Sequence, residues 1–213
     1  MRSHLVTWHG RCYTIAMYKR HLKRALDWTL SLAALIVLLL PGALIALWIK
    51  LDSKGPVFFR QKRVGRGKNH FMILKFRTMR MGTPKDVPTH LLTDPYAYIT
   101  HSGRFLRKTS LDELPQLINI FRGEMSFVGP RPALWNQFDL IAKRDEAGAN
   151  DLRPGLTGWA QVNGRDELPI DVKARLDGEY ACKLSFRMDV KCVFLTLRDA
   201  FRGAGVVEGR QGR

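Results

Sequence analysis

The sequence predicts an α+β protein seated on a membrane. Three patterns carry that prediction: a charge-free apolar run of 22 residues from Trp28 to Ile49, a strand–turn–strand pattern over residues 55–79, and helical apolar stripes in the C-terminal half. The chain has 213 residues, 46% of them hydrophobic, enough for one domain with a sizeable core and too few for a second. Lys and Arg number 35 against 19 Asp and Glu, a formal charge of +16 that calls for an anionic partner: nucleic acid, anionic lipid or a phosphate-bearing substrate. The apolar run counts against nucleic acid. Cys12, Cys182 and Cys192 have no CxxC spacing and cannot all pair, which argues against a disulfide framework or zinc site and fits a reducing, cytosol-facing location.

As one straight helix the apolar run would reach about 33 Å, close to the roughly 30 Å of bilayer hydrocarbon, with Trp28 and Trp48 as interfacial anchors. Two features oppose a simple span. Leu40-Pro41-Gly42 interrupts the run, where proline removes a helix hydrogen bond at a cost of about 3 kcal/mol or more. Both flanks are basic, with Lys19, Arg20, Lys23 and Arg24 before the run and Lys50, Lys54, Arg60, Lys62 and Arg63 after it, whereas a spanning helix favours positive charge on one side. The residues alone leave a spanning helix and a re-entrant hairpin both open. Residues 1–16 carry no clear element and Met17 makes a natural start, so the extension is expected to be a tail or a misplaced start codon. The run begins late and lacks a small-residue cleavage pattern, which argues against a signal peptide.

After the membrane segment, Val57–Arg60 and Phe71–Phe76 read as strands flanking the turn Gly65-Arg66-Gly67-Lys68-Asn69, a β-hairpin with a solvated tip rather than a phosphate loop. Residues 80–100 read as a loop rich in Pro, Thr and Asp. Residues 134–147 look helical, with Leu134, Phe138 and Ile141 on one face. The segment 152–165 reads as irregular, with three glycines. Near the C-terminus Val190, Val193, Phe194, Leu197 and Phe201 form a helical stripe flanked by Lys191, Arg198 and Arg202; it suits a core-packed helix or an interfacial helix on anionic lipid.

The stretch SLDELPQ (110–116) places Asp112 and Glu113 side by side in this basic chain. The plain structural reading is a capping box, with Ser110 and Glu113 satisfying orphan amides at a helix start and Asp112 complementing the dipole. That reading leaves the surroundings unexplained: Arg104, Arg107 and Lys108 precede the pair, and GPRP (129–132) follows, framing Arg131 between prolines that restrict its backbone. Adjacent carboxylates near fixed arginines suit phosphoryl transfer, because Mg²⁺ commonly takes one or two carboxylates plus substrate phosphates, and a carboxylate is itself a nucleophile for phosphorus.

KFRTM (75–79), GRFLRKTSLDELPQL (103–117), MSFVGPRP (125–132) and RPGLTGWAQVNGR (153–165) stand in that order and together resemble the bacterial sugar transferases, the monotopic phosphoglycosyl transferases. The likeness runs from about Lys23 to Arg202 and includes the KRALD entry to the membrane segment. The resemblance implies transfer of a sugar 1-phosphate from a UDP-sugar to polyprenyl (undecaprenyl) phosphate at the cytoplasmic face of the bacterial inner membrane, with Mg²⁺ and release of UMP. It assigns Asp112 as nucleophile of a covalent phosphosugar intermediate and Glu113, with Asp112, to the metal. It assigns Lys75, Arg107 and Arg131, and more weakly Arg77 and Arg165, to substrate phosphate. It also implies a re-entrant helix broken near Leu40-Pro41, although many relatives carry Ser where this chain has Leu40. Anionic lipid headgroups are the expected membrane partner, and nucleic acid is not expected. The implied organisation is a tail (1–18), a basic flank with re-entrant helix (19–54), a catalytic domain (55–205) and a C-terminal tail (206–213), all in one α+β monotopic unit with a β-hairpin and interfacial helices.

Overall fold

The computed structural model describes residues 18–84, 95–164 and 168–201. Most of the N-terminal tail with the Met17 start, and the whole C-terminal tail, lie outside the described residues. A π-turn over Tyr18–Leu22 runs into α1 (Lys23–Val37), and α2 (Leu39–Asp52) follows at an angle of 62°. The break falls at Leu38, with φ −90° and ψ 6°, while Leu40 and Pro41 occupy the first turn of α2. The displacement from the expected Leu40-Pro41 break has a direct cause. Proline at position 41 cannot donate to the Val37 carbonyl and its ring would collide with it, so the helix ends at Val37; in the first turn of the next helix a missing N–H costs little.

No single helix among the described residues is long and apolar enough to cross a membrane, although the bent pair passes that test together. Around the bend Ile36, Val37, Leu39 and Leu40 are 67–75% exposed. The two outer ends are instead fastened to the same body. Arg24 donates to the carbonyls of Ile120 and Phe121, and buried Asp27 accepts from Ser126 Oγ and the Phe127 amide at 3.1 and 3.0 Å. At the far end Asp52 accepts from the amide and hydroxyl of Ser102. Trp28 stacks on Phe121, and Trp48 packs against Phe105.

The hairpin forms as β1 (Phe58–Val64) and β2 (His70–Phe76), antiparallel, with Phe58 opposite Phe76 and Val64 opposite His70. Its tip is solvated as expected, with residues 66–69 exposed, and makes surface contacts from Arg66 to the Asp151 carbonyl and from Lys68 to Asp145. Within residues 80–100, Pro95–Tyr98 makes one helical turn (α3) and residues 85–94 lie outside the described set. Then come α4 (His101–Lys108), a 3₁₀ turn over Leu111–Glu113, and α5 (Gln116–Arg122). Phe71 and Ile73 of β2 bury with Leu117 and Ile120 of α5 and with Met125.

Asn119 completes this contact. It is fully buried; its Oδ1 accepts from the Leu74 amide at 3.0 Å, and its Nδ2 donates to the Met72 carbonyl at 2.9 Å and to Glu124 at 2.6 Å. One side chain therefore pairs the open edge of the strand that carries Lys75. Asn119→Ala is expected to destabilise the protein by about 1–3 kcal/mol for each backbone group left unpaired, read as a lower thermal midpoint in mild detergent.

The remainder is β3 (Ser126–Val128), α6 (Phe138–Glu146), a 3₁₀ turn at Ala149–Asp151, β4 (Gly155–Thr157), α7 (Trp159–Val162), α8 (Ile170–Lys183) and α9 (Phe186–Phe201). Strands β3 and β4 pair in parallel, so segment 152–165 is not the irregular stretch its glycines suggest. Helix α6 starts later than expected, because Leu134 bridges to Arg63 and its amide is taken by the Gln137 side chain. Phe138 is 69% exposed, and the buried face carries Leu140 and Arg144. On α9 the apolar stripe faces outward, with Val190, Val193, Phe194 and Leu197 between 40% and 65% exposed, while Asp189 and Cys192 turn in. This excludes the core-packed reading of that stripe. Asp189 accepts from both Tyr18 and Tyr180 and pairs with Lys23, tying the chain entry to α8 and α9.

Candidate active site

The acidic pair sits on the 3₁₀ turn between α4 and α5, entered through Ser110 in a left-handed conformation (φ 57°, ψ 16°). In that geometry the Ser110 side chain makes no cap bond, and the capping box read from SLDELPQ does not form. The two carboxylates point into basic surroundings instead. Lys75, at the end of β2, reaches Glu113 Oε1 at 2.7 Å and stands 4.0 Å from Asp112 Oδ2. Arg131 Nη2 lies 3.4 Å from the same Glu113 oxygen, and Arg107 on α4 is close enough to act on the charge of Asp112.

The neighbours divide the roles of the two acids. Burial raises the Asp112 carboxyl above the usual range; Lys75, Arg107 and Arg131 oppose this, while the Glu113 charge adds to it. Burial would raise Glu113 too, but Lys75 and Arg131 outweigh it and hold the group at about 2. Glu113 is thus a fixed anion. Asp112 is a buried carboxyl group that three cations act on, lacking the close contact with Lys75 that its neighbour makes.

Arg131 owes its position to an unusually complete set of backbone partners. The carbonyls of Pro130, Arg131, Pro132 and Ala133 accept in turn from the Gly155 amide, Arg144 Nη1, Arg63 Nη1 and the Val64 amide, all at 2.8–2.9 Å. The prolines restrict the same stretch from within. Beneath it three glycines meet: a Cβ on Gly155 would lie 2.1 Å from the Gly129 nitrogen, and one on Gly158 would lie 2.0 Å from the Gly129 oxygen. Only bare backbone allows β3 and β4 to approach this closely, which explains the glycines of GPRP and RPGLTG.

Of the residues singled out from sequence, Asp112, Glu113, Lys75, Arg107 and Arg131 converge here. Arg77 does not. It is buried and donates to the carbonyls of Ser53 and Lys54 and to Ser53 Oγ, closing the C-terminal end of α2. Its role is structural, because the chain reverses direction with orphan carbonyls that need a donor. Arg165 lies outside the described residues. Leu40 and Pro41 belong to the bend described above. Asn119, Arg63 and Arg144 support the site but were not singled out, since nothing in their spacing marks them; only Asn119 falls near a recognised motif.

Among the described residues no group of three or more His, Cys, Asp or Glu could hold a metal. The dyad itself provides two adjacent carboxylates, and this donor set fits Mg²⁺ in the mode in which substrate phosphates and water complete the shell. Asp112 and Glu113 would hold the ion.

Residues 18–203 match the profile of the family described as bacterial sugar transferase. The chain is 39% identical over 189 residues to the Bacillus subtilis (strain 168) protein named uncharacterized sugar transferase EpsL, a match spanning 87% of this chain and 90% of that one. It is 42% identical over 190 residues to the undecaprenyl-phosphate glucose phosphotransferase of Komagataeibacter xylinus. It is 43% identical over 192 residues to the UDP-glucose:undecaprenyl-phosphate glucose-1-phosphate transferase of Escherichia coli (strain K12). These two matches span 83% and 85% of this chain but only 35% and 40% of the longer relatives.

Proposed function

Because the chain belongs to the bacterial sugar transferase family, we propose that it transfers a sugar 1-phosphate from a UDP-sugar to polyprenyl phosphate, releasing UMP, as an initiating membrane step of surface polysaccharide synthesis. The observation that carries this reading is the unequal dyad: Glu113 pairs with Lys75 and Arg131 at 2.7 and 3.4 Å, while Asp112, one residue away, is buried and stands 4.0 Å from Lys75.

In this mechanism Arg131, Arg107 and Lys75 bind and orient the diphosphate of the nucleotide sugar, offsetting its negative charge so that a carboxylate can approach. An Asp112 oxygen attacks the β-phosphorus. The bond from that phosphorus to the bridging oxygen breaks, and UMP leaves with the electron pair. A phosphate oxygen of the polyprenyl phosphate then attacks the same phosphorus, the acyl–phosphate bond breaks, and the Asp112 carboxylate is restored. No net proton transfer is needed. Bound Mg²⁺ would neutralise charge on the diphosphate and on the departing UMP.

The lipid substrate requires a membrane, and the fold supports a re-entrant placement. Both outer ends of the α1–α2 pair are bonded to one body, and exposed apolar side chains line the pair through the bend, from Leu30 to Leu47. The outward apolar stripe of α9 supports an interfacial position for that helix. Cysteines introduced at His21 and Lys54 in a variant lacking the native cysteines are both expected to be shielded from an impermeant thiol reagent in intact cells. Labelling of one from outside would establish a span.

The test of function is UMP release by detergent-solubilised protein given undecaprenyl phosphate and a panel of UDP-sugars. Turnover with at least one sugar supports the reading, and none with any sugar refutes it. Chelation with EDTA is expected to abolish turnover and added Mg²⁺ to restore it.

A further inference from the structure

Arg144 lies on α6 and is 4% exposed, too deep to touch a substrate. Its guanidinium is divided between two tasks. Nε and Nη2 reach one oxygen of Asp177 on α8, at 2.8 and 2.6 Å, and Asp177 is itself 1% exposed. Nη1 donates at 2.9 Å to the main-chain carbonyl of Arg131, the residue whose side chain meets Glu113.

A buried ion pair is a weak device for stability, because desolvation cancels much of the attraction and an apolar pair of similar volume often serves as well. What an apolar pair cannot supply is the donor to the Arg131 carbonyl. Asp177 accepts from two of the guanidinium nitrogens and so aims the third, a geometry that lysine cannot reproduce. The neighbouring Pro132 carbonyl is held in the same way by Arg63, whose Nε and Nη2 are anchored on Gln61. Two anchored arginines thus hold the consecutive carbonyls of Arg131 and Pro132.

We propose that Arg144, oriented by Asp177, is a positioning residue that presets Arg131 to bind the diphosphate of the nucleotide substrate. This rests on the phosphate-binding role given to Arg131 above. Its energetic signature is coupling: loss of the Arg144 bond matters only while Arg131 is present.

The test is calorimetric titration of UDP with Mg²⁺ into detergent-solubilised full-length protein, as wild type, Arg144→Lys, Arg131→Ala and the double variant. Arg144→Lys is expected to weaken UDP binding by about tenfold in the wild-type background and by less than about twofold once Arg131 is Ala. A second variant, Arg144→Met with Asp177→Leu, replaces the ion pair with an apolar one. It is expected to stay folded, with a thermal midpoint lowered by no more than one unpaired carbonyl costs, and to show the same weakened UDP binding. Equal losses in both backgrounds, wild-type affinity in the apolar-pair variant, or loss of fold in both Arg144 variants would overturn the proposal and leave the pair a structural contact. Failure of wild type to bind UDP would overturn both this inference and the transfer reading. Coupled UDP binding without UMP release in the turnover assay would refute the transfer reading alone.

Discussion

Asp112→Asn is expected to lower UMP release by at least about 10³-fold while leaving the fold and UDP binding largely intact. The substitution keeps the side-chain volume and the tight turn between α4 and α5, but it removes the oxyanion that attacks phosphorus. Because Asp112→Asn also removes one of the two carboxylates placed on Mg²⁺, UDP binding should match wild type at saturating Mg²⁺, where mass action refills the site. The loss must appear even without polyprenyl phosphate, because the first half-reaction already requires the nucleophile. Glu113→Gln should behave differently. It breaks the strong contact with Lys75 and weakens the metal site, so turnover should fall yet recover partly as Mg²⁺ is raised, since mass action refills a weakened site. A capping role for the pair would instead leave Glu113→Gln nearly silent, and the left-handed Ser110 without a cap bond already argues against that role.

Gly158→Ala is the other large expected effect, and it acts through the backbone. Its Cβ would stand 2.0 Å from the Gly129 carbonyl oxygen, a backbone atom that cannot rotate away. Relief requires β3 and β4 to separate, which would strain the Gly129 amide's bond to the Thr157 carbonyl and the Pro130 carbonyl's bond to the Gly155 amide, both 2.8 Å long. The cost should be about 3 kcal/mol or more, seen as a lower thermal midpoint in detergent. Arg131 would move with its segment, so UDP binding should fall in any folded fraction. Gly42→Ala, with open space around its Cβ in the exposed bent pair, should be nearly silent by the same measures and serves as the comparison.

How much of this was legible in the sequence follows the range of the forces involved. The apolar run and the hairpin were readable because their patterns are local, and proline signalled a break even though the clash it causes moved that break back to Leu38. The stripe on α9 was legible as a helix face, but periodicity alone could not say which way it points; the burial of Asp189 against Tyr18 and Tyr180 turned it outward. Helix α8 and the β3–β4 pair escaped the pattern reading because one carries a mixed face and the other has three residues per strand, too few for any period. At the site, Asp112, Glu113, Lys75, Arg107 and Arg131 were nameable through motif resemblance. The same resemblance carried Arg77 into the site, where geometry gives it the end of α2 instead. Arg144, Asp177 and Asn119 act through hydrogen bonds that span 13 to 47 residues of chain, and no local pattern records such bonds.

The central claim is that Asp112 carries the phosphosugar between donor and acceptor. The most direct measurement is to incubate the solubilised protein with a UDP-sugar labelled in the sugar and its β-phosphate, omit the polyprenyl phosphate, quench, digest and locate the label by mass spectrometry. The expected result is one phosphosugar adduct on the peptide containing Asp112, formed with stoichiometric UMP and discharged when polyprenyl phosphate is added. A wild-type enzyme that turns over without forming an adduct, or that places it on another residue, would contradict the account and favour direct transfer between the two substrates.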